Sequence, residues 1–175
     1  MAKSAEEIWL DALDSRENGD FDDAIRLAKE VVFIDEKNTE AWMAIATWSL
    51  PPPTRGKPIE PSLQQSAKSM SALRKVVLYE PENLEAWIIG GRILLDHLGM
   101  LEDALHWWED CRIQYPNNVT PILEQIAILV RLGLYEKCAE RLAELHDEGM
   151  EEPTNQQAMR MQGVKGMVDR AAKME

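Results

Sequence analysis

The sequence predicts an all-α fold: helix pairs stacked one on the next and closed by one further helix. Three observations predict it. The box Asn-x-Glu-Ala-Trp occurs twice, as Asn38-Thr39-Glu40-Ala41-Trp42 and as Asn83-Leu84-Glu85-Ala86-Trp87, and such self-similarity marks an architecture of repeated helical units. The chain breaks alternate between a Pro/Asn type and a Gly type. No segment sustains the two-residue alternation of a strand, so no sheet is expected.

The breaks place the elements in order. The first helix carries Ile8 and Ala12 and stops at Asn18-Gly19, and Asp20-Phe21-Asp22-Asp23-Ala24 then supplies an acidic first turn to the second helix. Asp35-Glu36-Lys37-Asn38 ends that helix and caps the next, since Asn is a good N-cap. The same break recurs at Glu80-Pro81-Glu82-Asn83 and at Tyr115-Pro116-Asn117-Asn118, where Pro cannot continue a helix. Pro121 falls in a first helical turn, where its missing N–H costs nothing. Gly99 and Gly133 repeat the role of Gly19. Residues 154–173 form a final helix with Met161, Val164, Val168 and Ala171 on one face. Gly163 and Gly166 each weaken that helix by about 1 kcal/mol, so it needs a surface to pack on. Residues 154–175 carry net +2 and leave −14 on the remainder, which favours docking of this tail on the body.

This layout resembles the tetratricopeptide repeat, a helix–turn–helix unit of roughly 34 residues with the pattern Trp-x2-Leu-Gly-x2-Tyr, then Ala-x3-Phe, then Pro. The third repeat reads Trp87-x2-Gly90-Gly91-x2-Leu94, then Ala104-x3-Trp108, then Pro116. The second reads Trp42-x2-Ile45-Ala46-x2-Ser49, then Ser69-x3-Leu73, then Pro81. The fourth keeps Ile122, Gln125-Ile126 and Leu129, then Cys138-x3-Leu142; the first keeps Ile8, Asp11-Ala12 and Ser15, then Ala24-x3-Ala28. The resemblance covers residues 5–152, as repeats at about 5–38, 39–83, 84–118 and 119–152, and implies a right-handed superhelical solenoid with the tail helix as its cap. The second repeat is eleven residues too long, which is the length of the Pro51–Pro61 segment, and the third has one extra residue near Leu98. Both are expected in turns, where length changes are tolerated. Small residues at Ala12, Ala46, Gly91, Ala24, Ser69, Ala104 and Cys138 let paired helices approach closely. Trp42, Trp87 and Trp108 are expected to fill the space between repeats, Trp48 to pack on the preceding repeat, and Trp107 to be the more exposed of its pair.

Composition bounds the function. A chain of 175 residues with 45% hydrophobic content buries a real core. A net charge of −12 repels a phosphate backbone and argues against nucleic acid. No apolar run has the length of a membrane span or of a signal peptide at the start, so no membrane insertion and a cytoplasmic location are expected. Cys111 and Cys138 lack metal or redox spacing and sit at packing positions. His97 is expected at a helix end and His106 and His146 on outward positions. Asp14–Gly19 resembles a calcium loop only loosely: Arg16 and Ile25 stand where oxygen ligands are required. No catalytic constellation, cofactor or metal is expected.

The resemblance implies a concave groove lined by the first helix of each repeat. By register its residues are Trp9, Leu13 and Arg16; Met43, Thr47 and Leu50; Ile88, Arg92 and Leu95; and Leu123, Ala127, Val130 and Arg131. The positions at which the family grips a carboxy-terminal carboxylate carry Trp9, Leu13, Ala44, Glu85 and Ile89, which excludes that mode. An apolar or amphipathic peptide segment is the expected occupant, with arginines pairing its acidic flanks, and the expected function is a non-catalytic adaptor. Two alternatives stand beside it: a homo-oligomer, such as a homodimer, whose groove holds its own tail or a second chain, and a regulatory subunit of an enzyme. The Pro51–Pro61 loop, with its Pro58-Ile59-Glu60-Pro61 string beside Arg55 and Lys57, is read as a stiff surface spacer.

Overall fold

A computed structural model describes residues 3–54 and 56–174; Met1, Ala2, Arg55 and Glu175 lie outside the described residues. The N-terminal unit, residues 1–98, is built from α1 (Ala5–Glu17), α2 (Phe21–Ile34), α3 (Thr39–Trp48), α4 (Leu63–Tyr79) and α5 (Leu84–Arg92), the last running into a π-helical turn, Ile93–His97. Each start has a local cause. Ser4 and Glu7 form a reciprocal capping box on α1, as Ser62 and Gln65 do on α4. The Asn38 Oδ1 accepts from the Ala41 N–H at 2.9 Å, and Asn83 does the same for Ala86 at 3.0 Å; caps of this kind are worth about 1 kcal/mol each. Gly19 turns the chain between α1 and α2 with φ +82°, a left-handed conformation that glycine adopts freely.

In this unit α1 packs on α2, α2 on α3, α3 on α4 and α4 on α5. The approach of α1 and α2 is permitted by Ala12 and Ala24, and that of α3 and α4 by Ala46 and Ser69, all fully buried. Leu73 and Val76 fill the interior from α4. Between α3 and α4 the described residues of 52–60 are exposed, and paired backbone hydrogen bonds join Thr54 and Lys57, both 3.0 Å. That isolated bridge is the only β-type pairing among the described residues.

The extra residue of the third repeat is absorbed inside the helix instead of in the turn. The Leu98 N–H donates to the Ile93 carbonyl five residues back at 2.9 Å, so α5 ends in one π turn. One added residue rotates the downstream side chains by about 100° relative to an unbroken α-helix.

The C-terminal unit, residues 99–175, holds α6 (Leu101–Gln114), α7 (Val119–Arg131), α8 (Tyr135–Glu144) and α9 (Asn155–Ala172). The division between the units thus falls inside the third predicted repeat, between its two helices. Within this unit α7 is central and packs on α6, α8 and α9. Its core joins Ile122, Leu123, Ile126 and Ala127 to Cys138 of α8 and Val164 of α9. The tail helix starts at a Thr154–Gln157 capping box. Gln157 Nε2 also donates to Thr120 Oγ1 at 2.9 Å, and Arg160 pairs with both oxygens of Glu124 at 2.8 Å. Trp107, expected to be the more exposed of its pair, is buried along with Trp108. Neighbouring helical residues point about 100° apart, so α6 is covered over an arc at least that wide.

Candidate functional site

The first-helix residues of the N-terminal unit occupy α1, α3 and α5. On α1, Leu13 is exposed and Trp9 half-buried. The Trp9 ring stacks on Trp48 of α3, centroids 5.8 Å apart and planes 6° from parallel, so Trp48 does pack on the preceding repeat. Arg16 is engaged locally, its guanidinium 4.2 Å over the Phe21 ring of α2. On α3, Met43 and Thr47 are half-buried, as is Leu50 just beyond its end. The Thr47 hydroxyl donates to the Met43 carbonyl at 2.9 Å, so its hydrogen is already used within the helix. On α5, Ile88 is half-buried and Arg92 exposed, while Leu95 is 8% exposed. Leu95 lies inside the π turn and is buried with Ile93 and Leu94.

The equivalent face of α7 is different. Leu123 and Ala127 are each 1% exposed and share one buried cluster with Val164 of the tail helix; Val130 packs against it half-buried, and Arg131 is exposed. The two central residues expected to meet a partner there are instead covered by the chain's own α9, whose apolar stripe needed a surface.

Sequence reasoning missed a second feature. Trp42, expected in the core, is half-buried and lines a cleft of about 630 Å³ between α2 and α4. Its indole N–H donates to the Glu36 carbonyl at 2.7 Å, which fixes the ring in the α2–α3 turn. Phe33 stands at the cleft edge, 91% exposed. One signal was present: Val31-Val32-Phe33-Ile34 is a run of four apolar residues, and a helix buries only one face.

Neither cysteine is poised for chemistry. Both are buried and free, and burial pushes the Cys111 thiol up to about 12 and raises that of Cys138. The His106 Nδ1 lies 2.9 Å from the Glu102 carbonyl of its own helix, and the His97 Nδ1 lies 3.7 Å from Glu60 Oε2. Among the described residues no three His, Cys, Asp or Glu side chains are grouped to hold a metal, and no helix is long and apolar enough to cross a membrane.

No protein-family model matches the sequence, and no curated protein matches it. Solved structures do match. MamA from Desulfovibrio magneticus RS-1, from its residue 41 to the end, is 17% identical, with a TM-score of 0.59 over 99% of this chain and 92% of that one. Two crystal structures of MamA give TM-scores of 0.58 and 0.57 at 17% and 18% identity, covering 93% and 97% of this chain and 88% and 87% of theirs. Identities this low speak to fold alone, and MamA is of tetratricopeptide type. Register, caps and fold likeness agree, and the chain has the all-α tetratricopeptide-repeat fold.

Proposed function

We propose that this protein is a non-catalytic adaptor that holds an apolar or amphipathic segment of another protein on the first-helix face of its N-terminal unit. One observation carries the reading. Leu13, Met43 and Ile88 remain partly open on α1, α3 and α5, while the matching positions of α7, Leu123 and Ala127, are closed by the apolar stripe of α9. The α7 face thus takes an amphipathic helix, and the open face is built by the same register. Repeat folds offer extended surfaces of this kind to partners, and amphipathic helices dock on them through regularly spaced apolar anchors. Trp9 and Leu13 would extend the contact along α1, and Arg92 would pair with acid flanking the bound segment.

The test is a double substitution, Met43→Asp with Ile88→Asp, followed by pull-down from native lysate against the unaltered protein. Loss of specifically retained partners with unchanged helicity is expected; retention of the same partners would show that the face is not the site.

The occupancy of α7 by α9 favours a second reading, in which a second copy of the chain covers the open face. Light scattering across a range of concentrations separates the two: the adaptor reading expects a monomer without partner, the second reading a homodimer.

A further inference from the structure

The cleft beside Trp42 lies on the second helices and is separate from the face proposed above. One wall is a helical stripe: Lys68 and Lys75 stand seven residues apart on α4. The other is formed by Lys29 and Phe33 of α2 and by Glu36 in the turn that follows it. The floor is Trp42 and Ile45 of α3. Seven residues of helix span about 10 Å, which about three residues of extended peptide cover.

The charges are arranged unequally along that span. Lys75 reaches across to Glu36, Nζ to Oε1 at 2.7 Å, and lies 6.0 Å from the Trp42 ring centroid and 5.8 Å from that of Tyr79. This pair ties the two walls together. The Lys75 ammonium and the Tyr79 hydroxyl hold the Glu36 carboxyl below its ordinary range, which keeps it ionised and the tie closed. Two turns earlier, Lys29 and Lys68 have no ion-pair partner among the described residues. Three lysines thus surround this cleft against one glutamate, in a chain whose net charge is −12. The local sign is opposite to that of the molecule, and an apolar floor with a cationic rim selects ligands that are acidic and carry an apolar group. An exposed aromatic beside a preformed tryptophan face is also the composition found at protein contact sites.

We propose that this cleft binds an acidic peptide segment carrying one aromatic or branched aliphatic anchor. The anchor seats between Phe33 and Trp42, and carboxylates within about three residues of it meet Lys29 and Lys68.

The test uses the full chain and a fluorescein-labelled peptide with the core Glu-Glu-Phe-Glu, read by fluorescence anisotropy. Two control peptides carry Lys for each Glu, or Ala for Phe, and a single-stranded oligonucleotide serves as a polyanion without the anchor. The acidic peptide is expected to bind in preference to all three and to weaken as salt is raised. Lys29→Glu with Lys68→Glu, both exposed, is expected to weaken it at least about tenfold with helicity retained, and Phe33→Ser several-fold. Met43→Asp with Ile88→Asp is expected to leave it unchanged, so this proposal and the adaptor reading fail separately. Equal binding of the lysine peptide, tighter binding of the oligonucleotide, or indifference to the Lys29/Lys68 reversal would each overturn it. So would dissolution of a homodimer by that reversal, which would make the occupant a second copy.

Discussion

The two tryptophans of the repeated box show how one residue type takes two roles. Trp87 is buried, and its N–H donates to the Pro81 carbonyl at 2.8 Å; Trp42 makes the matching bond to Glu36 but leaves part of its ring on an open cleft. The shared hydrogen bond is a property of the box, and the cover over the ring is not. Two predictions belong at this scale. Gly133 has φ +71° with open space where a Cβ would stand, so Gly133→Ala bears only the backbone cost of a left-handed residue, about 1 kcal/mol; urea denaturation should show that loss, and an unchanged midpoint would contradict it. The Cys111 thiol is neutral in the folded state and its value is raised by burial from 9.0 to about 12. Its contribution to stability is therefore complete below pH 9 and is lost as pH rises from 9 towards 12. Native protein at pH 8.5 should alkylate slowly at both thiols and rapidly once unfolded, by intact-mass measurement; fast native labelling of Cys111 would refute this.

Among the elements, α9 has the clearest dependence on its neighbour. Isolated helices are marginal in water, and this one contains two glycines; it persists by burying Val164 against α7. Removing residues 154–175 should lower the melting temperature and increase binding of an apolar reporter dye, because Leu123 and Ala127 lose their cover. Unchanged melting would sink the packing role. Within α9 the order of effects is predicted too. Val164→Ala removes buried methyl groups and should cost about 2 kcal/mol. Arg160→Ala removes an ion pair whose arginine is 41% exposed and should cost under about 1 kcal/mol. Denaturation curves giving the reverse order would place the docking energy in the ion pair.

For the whole molecule, charge is the dominant global term. A net charge of −12 repels itself within any compact state, and salt screens that repulsion over about 10 Å at 0.1 M. Ion pairs such as Lys75–Glu36 and Arg112–Glu144 act against it, but 31 carboxylates face only 19 lysines and arginines. Raising sodium chloride from about 10 mM to about 200 mM should therefore raise the melting temperature. A fall would mean that ion pairs outweigh the net repulsion.

The sequence by itself determined the helices, their caps and their turns. Asn38, Asn83, Gly19, Gly99 and Gly133 act through bonds and dihedral preferences contained in a few neighbouring residues, and the small residues at helix contacts follow from the repeat register. Tertiary structure decided which faces are covered. It placed a π turn at Ile93–His97 and buried Leu95 within it; it laid α9 over Leu123 and Ala127; it buried Trp107 and left Trp42 beside a lysine-rimmed cleft. Local preferences act over a turn or two of chain, whereas burial depends on residues tens of positions away that arrive only when the helices pack.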